Sequence, residues 1–116
     1  MRPQRLFSIE RFLKPADGEP IRSVITESAD AVVVAWYVKP GQCISSHVHP
    51  QGQDTWTILS GCGEYRVDAQ GACVSVGKGD VLVAHRGEVH GVLNTGPDPL
   101  VFVSVVSPAA SGFEPL

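Results

Sequence analysis

The feature that most limits this chain is its punctuation. β-Branched residues come in short bursts, and glycine or proline breaks them at intervals of about ten residues. The bursts are Val24–Thr26, Ala31–Val38, Thr55–Leu59, Tyr65–Val67, Cys73–Val76, Val81–Ala84, Val89–Leu93 and Leu100–Val106. Between them stand turn-forming runs: Lys39-Pro40-Gly41, Ser60-Gly61-Cys62-Gly63, Asp68 to Gly71, Gly77 to Asp80 and Asn94-Thr95-Gly96-Pro97. Many short strands at this spacing build a sandwich or a barrel, so the chain reads as all-β. A helical period does not survive the glycines and prolines, except over Ser8–Leu13, which has room for one turn. An immunoglobulin-like sandwich is disfavoured because its Cys–Trp–Cys pattern is missing.

A chain of 116 residues is long enough for one domain and too short for two. The net charge is −3 with no basic run, and binding phosphate needs clustered Lys and Arg, so nucleic acid is not an expected partner. The longest apolar run, Ala31–Val38, is eight residues, well short of the roughly 20 that a membrane helix needs. Arg2, Arg5, Glu10 and Arg11 interrupt any apolar core of signal-peptide length, and a cytoplasmic location is expected by default. Three cysteines, Cys43, Cys62 and Cys73, show no C-x-x-C spacing and leave an odd count, which argues against a zinc knuckle and against a disulfide framework. Residues 1–20 carry three prolines and few β-branched residues, and 107–116 is rich in Pro, Ala, Ser and Gly. We expect a barrel over 21–106, with the N-terminal arm and the C-terminal tail lying outside it or on a partner subunit.

Three of the four histidines fall in two short segments. His47 and His49 are two apart, which on an extended strand puts both rings on one face with Cα atoms roughly 6.5–7 Å apart. Two imidazoles so placed can converge on one ion at about 2.0–2.2 Å per bond. An oxygen ligand is expected just after the turn Pro50-Gln51-Gly52, where both Gln53 and Asp54 stand. His90 follows the turn Arg86-Gly87-Glu88 and supplies the remaining ligand.

These segments resemble the two motifs of the cupin superfamily. Gly41, His47, His49 and Gly61 occupy the fixed places of the first, G-x5-H-x-H-x3–4-E-x6-G, with Asp54 where Glu is usual. Gly79, Gly87, His90 and Asn94 match the second, G-x5-P-x-G-x2-H-x3-N, with His85 in place of Pro. The spacer is short, Cys62 to Lys78, like that of small bacterial single-cupin proteins. The resemblance covers about 21–106 and implies a double-stranded β-helix, or jelly-roll, barrel. It also implies one divalent transition metal ion held by His47, His49, His90 and an oxygen donor. The register to Gly61 and the shared parity with Trp56 and Ile58 favour Asp54; Gln53, one methylene longer, is the alternative. Three imidazoles and an oxygen suit Fe, Mn, Ni, Co, Cu or Zn, and ligand softness does not choose among them.

Four protein ligands on an ion that prefers six leave positions for water, dioxygen or a bidentate substrate. The resemblance therefore implies a metal-dependent enzyme of a small organic substrate, most simply a dioxygenase. A metal-dependent isomerase and a non-catalytic module that binds a metal or small molecule are the other readings. Small cupins commonly pair two barrels, and the apolar Leu6, Phe7, Ile9, Phe12 and Leu13 in the arm fit a homodimer. Trp36, Trp56, Tyr65 and Phe102 are expected in the core or an interface, with Trp56 the best candidate for a pocket wall. Cys43 shares strand parity with Ser45 and His47, which places it inside as a small hydrophobe or near the site. His85, in a loop, is read as structural or as lining the pocket mouth.

Overall fold

The computed structural model of the protein describes residues 4–116. Among these residues ten strands form, with one 3-10 turn at Ile9–Phe12 ahead of them, inside the Ser8–Leu13 window. They are β1 Ser23–Glu27, β2 Val32–Val38, β3 Cys43–Val48, β4 Gln53–Ser60, β5 Cys62–Arg66, β6 Cys73–Gly77, β7 Val81–Ala84, β8 His90–Leu93, β9 Leu100–Ser107 and β10 Glu114–Pro115. Every β-branched burst becomes a strand. They pair into two antiparallel five-stranded sheets, ordered β1-β2-β9-β4-β7 and β10-β3-β8-β5-β6, which face each other as a double-stranded β-helix.

Strand alternation decides what lies between the sheets. Along β4 the buried Asp54, Trp56 and Ile58 alternate with the outward Gln53, Thr57 and Leu59. The paired β9 sends Phe102 and Ser104 inward beside them, through the register Ile58↔Phe102 and Trp56↔Ser104. Val38, Trp56, Ile58, Tyr65, Val76, Val92, Leu100 and Phe102 make one apolar cluster toward one end of the barrel. Trp56 and Phe102 stack at 4.3 Å, with Trp36 on the far side of Phe102 at 6.3 Å. Burying side chains of this size contributes roughly 1.5–3 kcal/mol each. The side-chain amide of the buried Asn94 donates to Val38 O and Asp98 O and fixes the β8–β9 loop.

β3 breaks its own alternation. Cys43 and Ile44 pair with Leu93 and Val92, but His47 pairs with His90, so one extra residue sits on β3 between them. Ile44 packs on the core before this bulge, and His47 points inward after it. Cys43 and Ser45 are consequently exposed, which corrects the inward placement that simple parity gives Cys43. The bulge needs Gly91 opposite it: a Cβ there would lie 2.7 Å from Ile44 O and 3.0 Å from Ser46 N.

The two ends also touch the barrel of their own chain. Gln42 Nε2 donates to Ala16 O and Gly18 O, and Lys39 pairs with Asp17 at 2.9 Å. The tail does more than lie outside. β10 pairs with β3 at Val48 and His47, because β3 is otherwise an edge strand with open backbone groups. No helix among the described residues is long and apolar enough to cross a membrane.

Candidate metal centre

His47 at the end of β3, His49 one residue beyond it, Asp54 on β4 and His90 at the start of β8 bring four ligating atoms within 4.8 Å of one another. Asp54 comes from one sheet and the histidines of β3 and β8 from the other. The group is buried: Asp54 is 4% exposed and His90 1%, and His49 is the most open of the three rings. Trp56 closes the inner side, edge-on to His90 at 5.7 Å, as expected of a pocket wall.

Each imidazole is tied by its other nitrogen. His47 Nδ1 donates to Ser45 O at 2.8 Å, His49 Nδ1 to Gly112 O at 2.7 Å, and His90 Nδ1 to Glu88 O at 3.1 Å. A carbonyl oxygen only accepts, so all three Nδ1 atoms carry hydrogen, and in the neutral rings Nε2 is left with a bare lone pair. Backbone bonds of this kind fix the tautomer and orientation of metal-binding histidines. His90 Nε2 stands 3.0 Å from Asp54 Oδ2, and His49 Nε2 3.5 Å from the same oxygen without an aligned hydrogen bond. A lone pair and a carboxylate oxygen repel at such distances unless positive charge, a proton or a metal ion, lies between them. Atoms bound to one ion at about 2.1 Å stand no more than roughly 4.2 Å apart, so a small contraction closes the cluster on an ion. The residues present therefore fit a divalent metal.

Electrostatics agree with this arrangement. Burial pushes the His47 imidazole down to about 4, so this ring is neutral and ready to ligate at neutral pH. Asp54 raises His49 above the ordinary histidine value, outweighing the opposing effect of burial. Burial alone would raise Asp54, but His49 and His90 overcome it and hold the carboxyl well below the usual carboxylate range. Ser104 Oγ donates to Asp54 Oδ1 at 3.0 Å, leaving Oδ2 to face the rings.

The remaining sequence candidates lie elsewhere. Gln53 is exposed, its amide directed at Thr55 Oγ1 at 3.4 Å, on the opposite face from Asp54. His85 is exposed and bonded to Glu88 at 2.9 Å, closing the β7–β8 turn. It lines a shallow cleft with Gly52, Gln53, Arg86, Ser107 and Pro108, outside the cluster. Sequence reasoning did not single out Ser104, Ser111, Gly112 or Phe113. Ser104 carried a signal, a polar residue at an inward position of β9. Phe113 carried one too, as a lone aromatic in a tail of small residues.

Residues 34–106 match the family profile described as Cupin domain. An uncharacterised conserved protein with a double-stranded β-helix domain from Klebsiella pneumoniae is 50% identical, covers 97% of both chains and superposes with a TM-score of 0.94. An RmlC-like cupin protein from Desulfovibrio desulfuricans is 27% identical over 93% of this chain and 97% of its own, with a TM-score of 0.73. A predicted oxalate decarboxylase from Thermotoga maritima, 23% identical over 79% of this chain and 94% of its own, shares the fold at a TM-score of 0.70. No curated protein matches the chain.

Proposed function

The chain belongs to the cupin family, and we propose that it is a mononuclear metal-dependent enzyme acting on a small organic substrate, most simply a dioxygenase. One observation carries this reading: three Nε2 lone pairs, each fixed by a backbone carbonyl at Nδ1, converge with one carboxylate oxygen. His47, His49, His90 and Asp54 would hold the ion, and two of six positions would stay open. A redox-active ion held there supplies Lewis acidity and electrons for dioxygen chemistry. Asp54 lowers the net charge of a divalent site from +2 to +1, which favours higher oxidation states. A second reading, a metal or small-molecule binding module, rests on the apolar rings beside the cluster. Trp56 and Phe113 cannot accept a proton, so any base must be a ligand or the substrate itself. A metal-dependent isomerase would face the same restriction. Oxygen uptake by the iron-loaded protein with a panel of catechols, enediols and thiols separates these readings. Uptake that needs iron, protein and substrate together supports the dioxygenase; full iron loading with no uptake across the panel removes it.

Metal binding itself has a signed pH dependence. In the metal-free protein the raised His49 carries a proton below a pKa that lies above its ordinary 6.5, and that proton must leave before Nε2 can ligate. Affinity for zinc should therefore climb as pH rises through this range and level off above it. Below it, affinity should fall about tenfold per pH unit for each proton displaced. Titration calorimetry in two buffers of different ionisation enthalpy should show one ion per chain and net proton release near pH 6.5. Affinity unchanged down to about pH 4 would exclude a histidine-dominated site.

We also infer a homodimer, with the arm 1–20 packing on the partner barrel. Support comes from the outer face of the first sheet, where Val81, 59% exposed, and Val83 stand opposite Thr57 and Thr55 on the edge strand β7, near the exposed Leu59. Leu6 in the arm is exposed as well. Light scattering at micromolar concentration should give twice the 12.4 kDa chain mass. A monomer there, or a dimer untouched by a Val81→Lys/Val83→Lys variant, counts against that face.

A further inference from the structure

The C-terminal tail is built into the metal centre more closely than a packing role requires. Gln51 N donates to Ser111 O at 2.8 Å, and Leu116 N to Ser46 O at 3.2 Å, so the segment is pinned at both ends across the mouth. Ser111 is buried against Gly52, where any Cβ would collide with the Ser111 side chain. Gly112 takes φ +75°, a left-handed conformation that aims its carbonyl at His49. Phe113 then lies against His47 with ring centroids 5.0 Å apart, and 6.2 Å from His49, yet it is 63% exposed. This large aromatic ring, on a segment pinned at both ends, sits outside the core cluster and touches the rings of the metal centre instead.

We propose that Ser111–Phe113 forms one wall of the metal centre. Gly112 is a positioning residue that holds His49 in the Nδ1–H form, with Nε2 turned to the ion. Phe113 is a specificity-determining residue: the planar apolar body of a small ligand packs on its free face while the ligand's chelating head takes the open positions. This rests on the metal reading above, and it adds a substrate class, small chelating molecules with an aromatic or conjugated body.

The positioning half is tested without metal. At pH 9, ring ¹⁵N shifts should report His49 as the Nδ1–H tautomer in the full chain. They should report a mixture in Gly112→Val, whose side chain cannot keep that backbone conformation. Zinc affinity, read by competition with a chromophoric chelator, should fall about 10–100-fold in that variant. An unchanged tautomer and an unchanged zinc affinity in Gly112→Val would overturn it. The ligand half uses the cobalt-loaded protein with 4-nitrocatechol and with oxalate, which chelates without an apolar body. Phe113→Ala should weaken 4-nitrocatechol about 2–10-fold and leave oxalate within about twofold. Equal effects on both probes, or none on either, would overturn it. If the wild-type chain bound no zinc, the metal reading and the ligand half would fall together, and the His49 tautomer would still decide the positioning half.

Discussion

The double variant His47→Ala/His49→Ala binds no measurable zinc at micromolar ion and keeps its β-sheet circular dichroism. Half of the ligand set is gone. Structural zinc sites bind with about 10–16 kcal/mol over four ligands, so losing two lowers affinity by roughly 10⁴-fold or more. The barrel survives because the ladders joining β3 to β8 and β10 use backbone groups, and the core cluster lies among other residues. His47 is neutral at pH 7 in the metal-free chain, so its removal leaves no buried charge unpaired. Removing His49 leaves His90 still 3.0 Å from the Asp54 carboxylate. Metal analysis after dialysis, with the single variants alongside, reads the result. Full occupancy in the double variant would overturn the assignment.

Asp54→Asn weakens zinc binding by about 100-fold, while Gln53→Ala leaves it within about twofold. The two residues are neighbours on β4, and successive side chains of a strand point to opposite faces. Asp54 lies inside beside Ser104, His49 and His90; Gln53 lies outside beside Thr55. The asparagine is isosteric, so the change removes charge and little else. Without the carboxylate, the pKa of His49 falls, and some of the loss in affinity is recovered because less proton must be displaced at neutral pH. In the iron-loaded protein the same variant shifts the reduction potential upward, because the ion keeps its full +2. Calorimetry on the two variants and voltammetry on Asp54→Asn provide the measurements. The reverse ranking, with Gln53→Ala the more damaging, would make the amide the ligand.

Much of this was legible because the pattern is local. Turn residues and β-branched bursts mark eight strands, and alternation along Asp54, Trp56 and Ile58 chooses the inner face of β4. β3 was harder to read, since Ser45, Ser46 and His47 give it no apolar run and pairing with β8 and β10 holds it extended. Parity failed at Cys43 for a physical reason: the bulge is allowed by Gly91, a residue on another strand, and no window around Cys43 contains that information. The tail was opaque for a similar reason. Its contribution to His49 is a backbone carbonyl, which every residue has, and only the fold shows that Gly112 is the one that arrives there.

Asp54 belongs to one sheet, and His47 and His90 to the other. An ion coordinated by all of them is a cross-link between the two halves of the sandwich, placed beyond the end of the apolar cluster. The core then rivets one end of the molecule and the metal the other. Without the ion the sheets are held at the mouth by the pairing of Asp54 with His90 and His49, and by the tail that crosses from β9 in one sheet to β10 in the other. Occupancy of the site is thereby coupled to how readily the sheets part at that end.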